Sequence, residues 1–191
     1  MNRPISGMNL LQLSGWFVVF IASVFNYTEC PLWLLWLTLA LHLPGVSDLL
    51  GSSFKGKRWI TLLPAALQNG ARMIFTALLL LAKQQGIVWK LEGKIDAASL
   101  LLTIWSLAEI SRFLYYISRS RATKWLRYNA FIVLYPTGVI LESIWMYRLF
   151  IQLPFISCKI LLVVMALAYL FGFPYLFLHL FQSRKQKLKH E

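Results

Sequence analysis

Long apolar stretches alternate with short polar ones along the whole chain. Several of them reach the roughly 20 residues that a helix needs to cross the hydrocarbon core of a bilayer. We predict six membrane-spanning helices, over Leu10–Tyr27, Leu32–Val46, Trp59–Ala82, Ala97–Ile117, Tyr128–Phe150 and Leu153–Phe181. The pattern therefore predicts an all-α, polytopic membrane protein, with one six-helix transmembrane domain over residues 1–191 and a basic cytosolic tail over residues 182–191.

The fifth predicted span carries polar side chains in its middle, within the stretch RYNAFIVLYPTGVILESIWMYR. Tyr135 and Glu142 are seven positions apart, so two helical turns bring them to one face, about 10 Å apart along the axis. Pro136 and Gly138 lie between them and are expected to bend the helix. Because a phenol and a carboxylic acid are costly inside a membrane, we interpret this face as a candidate catalytic site.

Two other predicted spans also carry ionisable side chains. Glu109 and Arg112 are three positions apart in the fourth span, and Gln68 and Arg72 are four apart in the third, so each pair shares a helix face. A buried pair such as Glu109 with Arg112 can serve helix packing alone. Several polar faces in one bundle exceed what packing requires, which favours a functional interpretation.

Composition and charge support the membrane assignment. Of the 191 residues, 59% are hydrophobic and only 14% are charged, against about 25% charged in soluble domains. The net charge of +12 comes from basic clusters between apolar runs, which indicates membrane orientation rather than nucleic-acid binding. With six spans, the basic loops and both termini fall on one side, which the positive-inside rule assigns to the cytosol.

Few other patterns in the chain indicate a known kind of site. Cys30 and Cys158 have no metal or redox spacing, and His42 and His179 are far apart in sequence, so we predict neither a bound metal nor a cofactor. Near the C-terminus, Lys187 and Lys189 form a K-x-K-x-x pattern. This pattern resembles a dilysine retrieval signal for the endoplasmic reticulum, and the alternative is a plain basic membrane anchor.

Four segments resemble the very-long-chain (3R)-3-hydroxyacyl-CoA dehydratase family, the protein-tyrosine-phosphatase-like membrane proteins of fatty-acid elongation. The strongest is RYNAFIVLYPTGVILE (Arg127–Glu142), which resembles the family's R-Y-N-x-F-x-x-L-Y-P-x-G-x-x-x-E segment almost position for position. WSLAEISRFLYY (Trp105–Tyr116) resembles its W-S-x-x-E-x-x-R-Y-x-Y-Y motif, and the segment Ala168–Lys185 resembles its A-Y-x-x-G-F-P-x-L-F-L-H ending. MNLLQLSGW (Met8–Trp16) is faintly similar to the family's start.

This resemblance implies an activity and a set of site residues. The family's catalytic tyrosine and glutamate fall on Tyr135 and Glu142. Its supporting or substrate-binding positions fall on Glu109, Arg112, Gly138, Gln68, Arg72 and Arg127. The implied reaction is dehydration of a long-chain (3R)-3-hydroxyacyl-CoA to the trans-2-enoyl-CoA, the third step of very-long-chain fatty-acid elongation. The implied setting is the endoplasmic reticulum membrane, with lipids and other elongation enzymes as partners.

Such a dehydration needs a base for the C2 proton, an acid for the C3 hydroxyl and a donor at the thioester oxygen. Either Tyr135 or Glu142 could take the C2 proton, and Arg112, held by Glu109, could polarise the carbonyl or orient Glu142. The cytosolic basic loops suit the phosphates of coenzyme A. A non-catalytic scaffold or lipid-binding homologue is the alternative, and it predicts a filled bundle without a cavity beside Tyr135.

The phosphatase chemistry in the family's older name is excluded by the cysteine positions. A cysteine phosphatase needs an arginine six positions after its nucleophile. Here Trp36 follows Cys30 at that spacing, and Val164 follows Cys158.

Overall fold

A computed structural model describes the backbone of residues 7–54 and 59–188, and the side chains of residues 7–45 and 68–186. It contains six helices, which are α1 Gly7–Phe25, α2 Leu32–Phe54, α3 Trp59–Gln84, α4 Ala97–Ser118, α5 Arg121–Gln152 and α6 Ile156–Leu188. A hairpin of two short strands, β1 Lys90–Leu91 and β2 Ile95–Asp96, precedes α4. The prediction of a helical protein is therefore confirmed, and the hairpin is an addition to it.

Several helices extend beyond the predicted spans. The helix α2 continues through Pro44 to Phe54, and α6 continues over residues 182–188, part of the predicted tail. The helix α5 begins seven residues before its predicted start because Ser120 caps it, its side-chain oxygen accepting a hydrogen bond from the Thr123 N–H at 3.2 Å. Lys189 of the predicted retrieval signal lies outside the described residues, as does the side chain of its partner Lys187.

Four helices in the described part of the chain are long and apolar enough to cross a membrane. They are α1, α4, α5 and residues 156–186 of α6. The described side chains have the distribution of a membrane protein. Large apolar groups such as Val133, Leu170 and Phe171 are exposed by 65–73%, whereas Glu109 and Glu142 are 3% and 5% exposed. Lipid would cover the apolar exterior, and the polar groups lie within the bundle.

The helices pack as a ring in the order α1, α2, α3, α6, α5, α4, with α4 returning to contact α1. Three tryptophans, Trp16, Trp105 and Trp145, lie almost wholly buried in the core. His42 lies between the first two, with edge-on ring contacts at 5.2 Å to Trp16 and 6.1 Å to Trp105. This ring arrangement brings side chains of α3, α4, α5 and α6 toward one another near the middle of the bundle.

The end of the bundle that carries the hairpin is fastened by the buried carboxylate of Asp96. Its Oδ1 accepts from the Ala98 N–H at 2.8 Å and so caps α4, while its Oδ2 accepts from the Cys30 N–H and the Lys83 ammonium, both at 2.9 Å. One side chain thus joins the α1–α2 loop, the end of α3 and the start of α4. The role of Asp96 is therefore structural.

Candidate active site

Glu142 is held inside the bundle by two side chains from other helices. Its Oε1 accepts a hydrogen bond from Trp105 Nε1 at 2.6 Å, and its Oε2 accepts one from the Tyr169 hydroxyl. Trp105 belongs to α4 and Tyr169 to α6, so the carboxylate of α5 is bound from both neighbouring helices. An indole N–H can only donate, so this arrangement fixes Glu142 as an acceptor in a defined orientation.

A cavity of about 70 Å³ adjoins this carboxylate. Its wall includes Tyr135 and Glu142, so the predicted pair does face one space. The complete lining comes from α3, α4, α5 and α6: Gln68, Ala71, Arg72, Trp105, Leu134, Tyr135, Gly138, Val139, Glu142, Ala168, Tyr169, Gly172, Phe173 and Leu176. The Tyr135 ring stacks on Phe173 with centroids 5.2 Å apart and an interplanar angle of 18°.

Gly138 separates the two candidate residues on the cavity wall. A Cβ atom built at this position would lie 3.8 Å from Ile104 Cγ2 and 3.9 Å from Glu142 Oε1. These are ordinary contact distances, so a methyl group would fit but would fill space directly beside the carboxylate. Glycine therefore keeps the cavity open at the point where Glu142 faces it.

An ion cluster centred on the buried Glu109 adjoins the same site. Glu109 Oε1 lies 2.7 Å from Arg72 Nη1, and its Oε2 lies 2.6 Å from Arg112 Nη2. The Arg72 guanidinium also lies 5.4 Å from the Trp105 ring centroid, which places it next to the indole that binds Glu142. Glu109 thus binds two arginines, and the cluster holds the Arg72 cation next to the site of Glu142.

Five of the six predicted supporting residues lie in or next to the cavity. Gln68, Arg72 and Gly138 line the cavity with Tyr135 and Glu142. Glu109 and Arg112 do not line it: Glu109 binds Arg72, and Arg112 binds the other oxygen of Glu109.

Arg127 lies elsewhere. Its guanidinium is 4.6–5.5 Å from the ring centroids of Tyr115, Tyr116 and Tyr128, at the junction of α4 and α5. Arg127 does not line the cavity, and its contacts are those of a residue that joins two helices.

Trp105 and Tyr169 are the two site residues that sequence reasoning did not select. Both occur in segments that resemble family motifs, at the start of WSLAEISRFLYY and in AYLFGFP. They lie 37 and 27 positions from Glu142, so no helical spacing indicates the contact. Their position within those motifs was the available signal.

Metal binding and cysteine chemistry are two alternative kinds of site for the described residues. No group of three or more His, Cys, Asp or Glu side chains in that part of the chain is placed to hold a metal ion. Burial is the main cause that raises the pKa of the Cys30 thiol to about 12, and the nearby Asp96 carboxylate adds to the shift. The Cys30 thiol is therefore protonated at neutral pH and is not a nucleophile, consistent with the exclusion of cysteine phosphatase chemistry.

Comparisons with known proteins indicate the family of the chain. The family model described as protein tyrosine phosphatase-like protein, PTPLA, matches residues 59–190. The chain is 32% identical over 117 residues to very-long-chain (3R)-3-hydroxyacyl-CoA dehydratase 1 of Canis lupus familiaris, covering 50% of this chain and 47% of that protein. It is 28% identical over 118 residues to very-long-chain (3R)-3-hydroxyacyl-CoA dehydratase 2 of Mus musculus, covering 50% of this chain and 45% of that protein.

The chain thus spans about half the length of these curated relatives. No solved structure matches it. The family model covers well over half of the 191 residues and includes every helix that lines the cavity. The chain therefore belongs to the protein tyrosine phosphatase-like (PTPLA) family and is similar to proteins named very-long-chain (3R)-3-hydroxyacyl-CoA dehydratases.

Proposed function

We propose that this protein dehydrates a long-chain (3R)-3-hydroxyacyl-CoA to the trans-2-enoyl-CoA and water. The observation that carries the proposal is the shared cavity: the buried Glu142 carboxylate and the Tyr135 side chain line one space within a ring of membrane helices. The names of the relatives point to the same reaction.

Glu142 is the proposed base for the C2 proton. Its two oxygens accept hydrogen bonds from Trp105 and Tyr169, which hold the carboxylate in place before substrate binds. Preorganisation of this kind avoids rearrangement during the reaction. The apolar surroundings also exclude bulk water, which would otherwise solvate the carboxylate and weaken it as a base.

Tyr135 is the proposed acid for the C3 hydroxyl. As the C2–H electron pair forms the new double bond, the C3–O bond breaks and the hydroxyl leaves as water with the proton of the Tyr135 phenol. Glu142 then holds the C2 proton and Tyr135 lacks one, so transfer from Glu142 to Tyr135 restores the starting state. This return step is supported by the position of the two residues, because both line one small cavity.

Arg72 and Gln68 are the proposed donors to the thioester oxygen, where negative charge grows as C2 loses its proton. Both line the cavity, and only one Arg72 nitrogen is used by Glu109. Arginine has five N–H donors, so others remain for substrate. Sequence analysis expected Arg112 to polarise the thioester carbonyl. We assign that role to Arg72, because Arg112 does not line the cavity.

The cellular setting follows from the same proposal. We infer six membrane spans, both termini in the cytosol, an endoplasmic reticulum location and contact with other elongation enzymes. The basic residues around the junction of α4 and α5 and along the end of α6 then lie on the cytosolic side, where they suit the phosphates of coenzyme A. The alternative of a non-catalytic scaffold predicts a filled bundle beside Tyr135, and the cavity there favours the enzyme.

The experiment is turnover of a long-chain 3-hydroxyacyl-CoA by the purified protein in detergent, with detection of the enoyl product. We expect activity in the wild type and its loss in both Glu142→Gln and Tyr135→Phe. Glu29→Gln and Tyr175→Phe alter exposed side chains outside the cavity and are the matched controls. Wild-type rates in Glu142→Gln and Tyr135→Phe would refute the assignment.

A further inference from the structure

A second, larger cavity lies between α5 and α6 beside the candidate active site. Its volume is about 580 Å³, within the roughly 300–1,000 Å³ of typical ligand pockets, whereas the cavity at Glu142 has only about 70 Å³. Its lining is Val139, Ser143, Met146, Tyr147, Phe150, Leu162, Val163, Ala166, Tyr169, Leu170, Phe173 and Pro174. We refer to it as the α5–α6 groove.

The groove adjoins the active-site cavity, and the two share part of their walls. Val139, Tyr169 and Phe173 line both spaces. The Tyr169 hydroxyl binds Glu142, so a single side chain spans from the carboxylate to the groove. A molecule with a polar reacting end and an apolar remainder matches this pair of adjoining spaces.

The groove has the form and chemistry of a hydrocarbon site. Its floor includes the buried side chains of Met146 and Leu162, and its rim includes Tyr147 and Leu170, which are 68% and 65% exposed. It is therefore open sideways, in two helices apolar enough to cross a membrane. From residue 139 to residue 150 the groove follows α5 for about 16 Å at 1.5 Å per residue, close to half of a ~30 Å hydrocarbon core.

We propose that the α5–α6 groove binds the hydrocarbon chain of the acyl thioester, which enters sideways from the bilayer while its C1–C3 end occupies the cavity at Glu142. This inference rests on the proposed dehydratase function and assigns its acyl-chain site. Because the groove is open along its length, a chain longer than the groove continues into lipid. A long chain is held by the groove walls, whereas a short chain ends before reaching them.

The kinetic test blocks the groove with tryptophan. Ser143→Trp and Ala166→Trp place an indole in the groove, and Ile140→Trp and Leu167→Trp are controls on exposed positions of the same two helices that line neither cavity. For a long-chain substrate we expect kcat/KM of the groove variants to fall about tenfold or more, since a ~1 Å misplacement of reacting atoms can cost ~100-fold. For a short-chain 3-hydroxyacyl-CoA we expect no change.

Two kinetic outcomes would overturn the assignment. Groove variants that match the controls on the long substrate would mean that the chain lies elsewhere and bulk lipid fills the groove. Equal losses on both substrates would mean that the groove does not distinguish the chains. An inactive wild type would refute the dehydratase proposal itself.

A second measurement does not depend on variants or on turnover. A 3-hydroxyacyl-CoA analogue with a diazirine on its alkyl chain is photolysed with the wild-type protein, and the labelled peptides are sequenced. We expect labels within residues 139–150 and 162–174. Labels confined to other helices would overturn the groove assignment, and labels in the groove of an inactive protein would support it as a lipid-chain site while the catalytic proposal failed.

Discussion

Tyr169→Phe tests whether the contacts to Glu142 serve catalysis. The substitution removes only the hydroxyl that donates to Glu142 Oε2 and keeps the ring in the wall between the cavity and the groove. Trp105 still binds Oε1, so the carboxylate keeps one of its two partners. The change is thus confined to the orientation and solvation of the proposed base.

The size of the effect follows from the kind of bond lost. A hydrogen bond to a charged group contributes about 1.5–3 kcal/mol, and about 1.4 kcal/mol corresponds to a factor of ten in rate. Because the bond acts on the proposed base in the transition state, we expect kcat to fall about 10- to 100-fold with KM little changed. Steady-state kinetics with a long-chain substrate would measure both constants.

The matched control for Tyr169→Phe is Tyr175→Phe, on the same helix but outside both cavities. A thermal unfolding midpoint in detergent would show that both variants are folded. A folded Tyr169→Phe protein with the wild-type kcat would refute the positioning role of this hydroxyl. A change in KM alone would also contradict it, because binding rather than the chemical step would then depend on the hydroxyl.

Three further predictions concern stability and thiol chemistry. Glu109→Gln leaves the buried Arg72 guanidinium and the partly exposed Arg112 guanidinium without their anion, so we expect it to lower the free energy of unfolding by about 3–5 kcal/mol, whereas Glu29→Gln, at an exposed position, changes the detergent unfolding midpoint little. Asp96→Asn retains an N-cap acceptor for α4, so Asp96→Ala should be less stable than Asp96→Asn by about 1 kcal/mol; equal midpoints would contradict the capping role. With its pKa raised from 9.0 to about 12, the Cys30 thiol favours folding below pH 9, and this contribution is lost as the pH rises from 9 to 12. Iodoacetamide should therefore modify Cys30 slowly in the folded protein at pH 9, and modification at the unfolded rate would contradict this.

Local patterns predicted much of the fold. The boundaries predicted for α4 agree with the structure to within one residue, because Asp96 provides a capping signal directly before an apolar run. The early start of α5 was missed because its first turns, RATKW, are polar and hydropathy marks only the membrane-embedded part. In α2 the tertiary structure accommodates Pro44 within the helix, a result that proline chemistry alone does not predict.

The site was predictable only as far as single-helix spacing reaches. The i,i+3 contact of Glu109 with Arg112 follows from helix geometry and is present. Arg72 of α3 and Glu109 of α4 are 37 positions apart, so helix spacing does not predict their contact. Sequence analysis instead placed Arg72 in a pair with Gln68 and Glu109 in a pair with Arg112. Tyr169 was missed for the same reason, since its contact with Glu142 depends on how α6 lies against α5.

Hydrogen exchange at C2 is the most direct test of a catalytic carboxylate in this cavity. The reaction is run in reverse, with a long-chain trans-2-enoyl-CoA hydrated by the purified protein in D₂O, and the product is analysed by mass spectrometry. We expect the wild-type protein to form 3-hydroxyacyl-CoA carrying one carbon-bound deuterium at C2, and Glu142→Gln to form none while Glu29→Gln behaves as the wild type. Wild-type incorporation of deuterium by a folded Glu142→Gln protein would contradict the role of Glu142.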